Sequence, residues 1–246
     1  MTLFDVEPRT LPIAGDGPSA TAERFPVRRV YCVGQNYADH AREMGSDPER
    51  QAPFFFSKPA DAVYAAAEGI PAAEGFDGVE AGTTPYPPRT DDFHYEVELV
   101  VAIGAAADAV TPESALDAVW GYTVGVDLTR RDVQAQAKKS GRPWDLAKGF
   151  DASGPVGEIV SLERIGQHPV SGRIHLDVDG ATRQDGDLDQ LIWSVPELIS
   201  RLSHEVVLRP GDLIFTGTPA GVGPLERGQR VRAEVASVGA VEFRVV

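Results

Sequence analysis

Phe93-His94-Tyr95-Glu96-Val97-Glu98-Leu99-Val100-Val101-Ala102-Ile103 reads as one strand, because Val, Leu, Ile and Tyr dominate and neither Gly nor Pro interrupts it. Successive side chains of a strand alternate faces, so Glu96 and Glu98 fall on the same side, one pleat apart. On a helix the two would diverge by about 200° and converge on nothing. Val100 and Ala102 follow on the glutamate side, which makes the strand apolar on both faces beyond Glu98. Two carboxylates are thus carried toward a buried region, where they need a cation or a proton. A solvated edge strand is the competing reading, because charged side chains also protect exposed sheet edges.

Downstream, Thr111-Pro112-Glu113 opens a helix, and Val119-Trp120-Gly121-Tyr122-Thr123-Val124-Gly125-Val126 is the next strand, with Asp127 at its end. Glu96, Glu98 and Asp127 form an all-oxygen set. With water in the remaining positions they suit a hard octahedral cation, Mg²⁺ or Mn²⁺, better than Zn²⁺ or Cu²⁺. No His-rich or Cys-rich spacing points to a structural zinc site. Thr129 and Asp132 read as a capping box for a helix running to Gly141. Arg130 and Arg131 in its first turn oppose the helix dipole, as expected of residues placed for a ligand. Arg131, Gln134 and Lys138 share one face of that helix. Lys148 lies in the mostly apolar segment Trp144 to Asp151, where a solvated loop lysine is the plainer alternative.

Upstream, Arg28 to Val33 is a short strand. A helix follows from Asn36 to Gly45, with Asn36 or Asp39 as its cap. His40 and Glu43 share a face of this helix, either as a functional pair or as two surface residues. Phe54-Phe55-Phe56-Ser57-Lys58 is a brief strand between prolines. Residues 68 to 92 form a Gly-, Pro- and Thr-rich loop of a length that is usually functional or inserted. In the C-terminal half, Arg173 to Val178 meets a hairpin turn at Asp179-Gly180, and Ser194-Val195-Pro196-Glu197 is a capping box for a helix through Leu202. The loop Gly217 to Pro224 lacks the ending of a P-loop and the spacing of a dinucleotide fingerprint. It suits close backbone approach to a small ligand, with Thr218 offering a hydroxyl.

Composition narrows the partners. A chain of 246 residues with net charge -14 offers no basic surface for nucleic acid. No apolar run approaches membrane-spanning length, and Met1 to Glu7 has no signal-peptide pattern. The single Cys32 excludes an intramolecular disulfide framework and suits a reducing compartment, so a soluble cytoplasmic protein is expected. Residues 1–27 are expected to form an extension packed on the main body, residues 28–246.

Six segments, in order, resemble the fumarylacetoacetate hydrolase superfamily: Val33-Gly34-Gln35-Asn36-Tyr37-Ala38-Asp39-His40 with Glu43, Phe56 to Pro59, Tyr95 to Leu99, Gly125 to Asp132, Pro143 to Asp151, and Gly211 to Gly223. The resemblance implies that residues 28–246 are a single catalytic domain of a mainly β fold with short helices (α+β), a mixed β-roll or sandwich, usually as a homodimer. It implies Glu96, Glu98 and Asp127 as metal ligands. His40 and Glu43 would be the dyad that activates water, on a lid that orders when substrate binds. Arg131, Gln134, Lys148 and Thr218 would contact the carboxylate and oxo groups of a small anionic substrate. The implied activity is metal-dependent hydrolysis of the C–C bond of 2,4-dioxo acids, with fumarylpyruvate giving fumarate and pyruvate through an enolate that Lys148 and the metal stabilise. The same site could instead serve an oxaloacetate decarboxylase or a 2-hydroxyhepta-2,4-diene-1,7-dioate isomerase/decarboxylase. A dicarboxylate binder without catalysis is the reading from another class.

Overall fold

Apolar alternation becomes sheet wherever it meets a partner. The computed structural model describes residues 3, 8–15, 23–45, 51–66 and 80–246. The centre of the larger, eight-stranded sheet is the antiparallel pair Val97–Ile103 and Val119–Val126. Asp212–Phe215 adds antiparallel to the first of these and parallel to Arg29–Gly34, and Phe54–Lys58 closes that edge. On the other side lie Gly154–Val156 and Val63–Ala65. A five-stranded sheet carries Ala181–Asp187, Arg173–Val178, Arg230–Val235 and Gly239–Val245 as antiparallel neighbours, with Thr83–Thr84 parallel to the last. Its first hairpin turns at Asp179-Gly180, where both residues hold positive φ (51° and 77°), as that dipeptide anticipates. The expected mainly β fold with short helices is the one observed.

The strand period sorts the core. Leu99, Val101 and Ile103 face one way and join Tyr122, Val124, Ile174, Leu176, Ala233 and Phe243 between the two sheets. Val100 and Ala102 face the other way, onto Leu11, Phe25, Val30, Cys32 and Phe215. Each fully buried Val, Leu or Ile contributes about 1.5–3 kcal/mol. The sheet is therefore covered on both faces, and the edge-strand reading of the glutamates fails: Glu98 is 1% exposed.

Several local expectations need correction. The stretch from Phe93 is not one strand. Phe93–Tyr95 belongs to a separate three-stranded sheet with Thr129–Arg130 and Gly223–Pro224, and Glu96 lies at the break. Thr129 is a strand residue whose hydroxyl donates to the Asp127 carbonyl, so no capping box forms with Asp132. Asp132 instead accepts the Thr90 hydroxyl at 2.6 Å, and the helix is Arg131–Lys139. The Ser194–Glu197 capping box is present, on the helix Val195–Glu205. Neither Asn36 nor Asp39 caps the short helix Ala38–Glu43. Asp39 pairs with Arg42, while Asn36 is a buried tether. Its amide donates to the carbonyls of Trp193 (2.9 Å) and Thr216 (2.8 Å) and accepts from the Trp193 N–H. Leu11 and Phe25 of the N-terminal stretch are buried, Leu3 is exposed, and Phe4 lies outside the described residues.

Candidate metal centre and active-site cleft

The site stands where the central antiparallel pair changes sheets. Val97 is registered with Val126 and His94 with Thr129, so Glu96 and Asp127 oppose each other across the break, with the Asp127 N–H donating to the Glu96 carbonyl at 2.8 Å. Two carboxylates directly opposite repel unless a cation intervenes. Lys148 supplies it: its Nζ donates to Glu96 Oε2 at 2.8 Å and to Asp127 Oδ2 at 2.7 Å, and the side chain is fully buried. The loop-lysine alternative is thereby excluded. Its position comes from the one-turn helix Asp145–Lys148, packed beside the strand Phe54–Lys58.

Glu98 opposes Gly125 in the register, where a Cβ would sit 2.6 Å from the Phe215 ring; only glycine fits at that crossing. The Glu98 carboxylate accepts the Gly217 N–H at 2.7 Å. Glu96, Glu98 and Asp127 each offer an oxygen within 4.8 Å of the others, and all three are buried. Their charges separate. Burial opposes ionisation of Glu96, but Lys148 and Arg131 outweigh it and hold its carboxyl below the usual range. Burial, then the negative Asp127 and Glu96, push Glu98 well above it. Burial also works against Lys148, yet Asp127 and Glu96 raise its basicity overall.

This donor set fits a hard divalent cation. It is all oxygen, it carries more negative charge than Glu98 can hold ionised alone, and Asp127 Oδ1 accepts no hydrogen bond although buried. Lys58 Nζ stands 2.8 Å from that oxygen, off the direction of a hydrogen bond, with both side chains at 0% exposure. Mg²⁺ or Mn²⁺ suits the site.

The cleft over this cluster, about 360 Å³ of space that opens to solvent, brings the other candidates together: His40, Arg131, Gln134, Lys148 and Thr218 all line it. Arg131 pairs with Glu96 and donates to Gln134 Oε1 at 2.8 Å. His40 is buried, with Nδ1 3.2 Å from Glu43 Oε2. Glu43 lies nearer the surface, and its carboxylate also faces the Gly221 N–H at 3.2 Å. An ionised carboxylate only accepts, so in the neutral imidazole the contact with Glu43 places the proton on Nδ1 and the lone pair on Nε2.

Two structural contributors carried no signal in the sequence. Lys58 reads as a strand-end lysine, yet its ammonium also donates to the carbonyls of Lys148 and Leu128. Gln184, in the second sheet, is fully buried. Its Oε1 accepts the Val97 N–H (3.0 Å), and its Nε2 donates to Pro219 O and Thr218 Oγ1 (2.8 Å each). Backbone groups fix both ends of that amide, so Thr218 must accept from it and has its own proton to give into the cleft.

The same residues sit within a chain whose positions 29–246 match the fumarylacetoacetate (FAA) hydrolase C-terminal family. The chain belongs to that family. Among solved structures, fumarylpyruvate hydrolase from Pseudomonas aeruginosa in complex with Mn²⁺ and pyruvate is 49% identical, with a TM-score of 0.91 over 100% of this chain and 99% of that one. Oxaloacetate tautomerase FAHD1, mitochondrial, from Bos taurus is 40% identical over 89% of this chain and 91% of the relative. Oxaloacetate tautomerase FMP41, mitochondrial, from Saccharomyces cerevisiae is 37% identical over 85% and 87%. Within the fumarylacetoacetate hydrolase family this chain resembles the fumarylpyruvate hydrolase branch. Among the described residues no helix is long and apolar enough to cross a membrane.

Proposed function

We propose that this protein hydrolyses the C–C bond of 2,4-dioxo acids, with fumarylpyruvate yielding fumarate and pyruvate. The observation that supports it is the presence of His40, backed by Glu43, in the same cleft as the acidic cluster, Arg131 and Lys148. A divalent cation held by Glu96, Glu98 and Asp127 would polarise the 1-carboxylate and 2-oxo oxygens of the substrate. Arg131 and Gln134 orient that end. His40 Nε2 takes a proton from water, Glu43 steadies the resulting imidazolium, and the water oxygen bonds to C4. The C3–C4 bond breaks, leaving its electron pair on C3 and, by delocalisation, on the 2-oxygen of a pyruvate enolate. Lys148 faces that developing charge, a contribution of several kcal/mol in a dry site. Protonation at C3 gives pyruvate, and the C4 fragment departs as a carboxylic acid.

The tautomerase names of the 37–40% identical relatives favour a second reading. There the same base would move a proton between C3 and the 2-oxygen of oxaloacetate, with no attack by water. Pyruvate release from fumarylpyruvate and acetylpyruvate, set beside the ultraviolet decay of enol-oxaloacetate, each with EDTA and after Mn²⁺ is restored, separates the two. Metal-dependent release from the acylpyruvates supports hydrolysis, whereas turnover indifferent to EDTA overturns it. His40→Ala is expected to keep Mn²⁺ binding while pyruvate release falls by about 10²–10⁴.

A further inference from the structure

Lys138 lines the cleft but has no carboxylate within ion-pair distance among the described residues. It is exposed, on the helix face that carries Arg131 and Gln134, and its Nζ rests over the Trp144 ring at 5.1 Å from the centroid. Arg131 and Lys148 are engaged with Glu96 and Asp127 at the inner end. With a divalent ion on the acidic cluster the inner end would be cationic as well, and Phe56 and Trp144 line the wall between the two ends.

We propose that Lys138 receives a second, distal carboxylate, which makes the preferred ligand an extended 2-oxo dicarboxylate with a planar or apolar middle. The inference rests on the 2-oxo-acid reading of the cleft and adds the chemistry of the far end. Length supports it. Arg131 and Lys138 are seven residues apart on one helix, about 10 Å along its axis. A seven-carbon chain of bonds near 1.5 Å places its terminal carboxyl carbons about 7–8 Å apart, which two flexible cationic side chains can bracket. A four-carbon diacid spans about half of that and cannot occupy both ends. Charge supports it as well. Glu43, Glu96, Glu98 and Asp127 are matched by Lys58, Arg131, Lys138 and Lys148. A divalent ion then leaves a positive excess that a dianion neutralises. A solvated helix lysine would be indifferent to what the ligand carries at that end.

The test compares 2-oxopimelate with 2-oxoheptanoate, chains of equal length that differ in the distal carboxylate, by titration into the Mn²⁺-loaded protein. The wild type is expected to bind the diacid about tenfold more tightly, as one charge-assisted hydrogen bond provides. Lys138→Met should erase that preference and Lys138→Arg should retain most of it. A parallel assay should show the ratio of kcat/KM for fumarylpyruvate over acetylpyruvate falling about tenfold in Lys138→Met. A wild type without preference, or a preference that survives Lys138→Met, overturns the role of Lys138. If the wild type cleaves neither acylpyruvate, the hydrolase reading fails, and the binding comparison still decides whether Lys138 reads the distal carboxylate.

Discussion

Replacing Lys58 by Met keeps the length and apolar stem of the side chain and removes only its ammonium. The Lys58 and Asp127 side chains are both at 0% exposure and 2.8 Å apart, so the change takes a counter-charge from an anion that water cannot reach. Breaking a buried pair on one side costs about 3–5 kcal/mol. Asp127 retains Lys148 at 2.7 Å, and the Lys148 carbonyl retains the Ser153 hydroxyl at 2.9 Å, which lowers the expectation to about 2–4 kcal/mol. Against a total stability of about 5–15 kcal/mol the loss is easily read from urea melts of metal-free wild type and variant, as a lower midpoint at unchanged slope. Saturating Mn²⁺ should shrink the difference, because the ion restores positive charge beside Asp127. A metal-free loss below about 1 kcal/mol, the range of exposed pairs, would refute the reasoning. So would a penalty identical with and without Mn²⁺, since Lys58 would then act on something other than Asp127.

Gln184→Met preserves bulk but strands the Val97 N–H, and thermal or urea unfolding should register about 1–3 kcal/mol. The same variant should weaken pyruvate binding, because Thr218 loses the donor that orients its hydroxyl. Gly221→Ala places a methyl group 2.3 Å from the Arg183 carbonyl at a φ of +97°, and should cost at least about 1–3 kcal/mol and slow turnover as the Gly221 N–H leaves Glu43. Gly228→Ala, at a similar φ but with open space around it, should cost less in the same melts. His168 is half-buried, its Nδ1 2.7 Å from the Tyr122 hydroxyl, and burial lowers its basicity. The unfolded chain then binds this proton more readily than the fold. The contribution is present above about pH 6.5 and lost as pH falls through the folded value. Wild type should therefore lose more stability than His168→Gln on acidification across that window, a difference that melts at stepped pH would reveal.

What could be read from the residues was local or periodic. The strand Val119–Val126, the Asp179-Gly180 turn and the Ser194 cap each depend on a few neighbours in the chain, and each stands where the pattern places it. Arg131 and Gln134 were legible as a pair through helical spacing. The break at Glu96 was not, since Phe93–Tyr95 has the same composition as the strand it leaves and only its partners, Thr129–Arg130 and Gly223–Pro224, draw it to another sheet. Thr129 followed for the same reason, trading a cap for a ladder. Lys58, Asn36 and Gln184 act across 70 to 180 residues of sequence, and one Lys, Asn or Gln in a short apolar or polar run announces nothing about so distant a partner.

The lysine between Glu96 and Asp127 bears on how the protein matures. Where metal ligands have no internal counter-ions, the ion must arrive before the chain can settle, and a chelator unfolds it. Here Lys148, Lys58 and Arg131 already neutralise much of the anionic cluster. Folding and metal loading are then expected to be separate events, with a metal-free fold that survives a chelator in the same urea melts. Loading requires the Lys148 ammonium to yield its place between the two carboxylates. On the proposed reading, that displaced charge would be the one that faces the substrate.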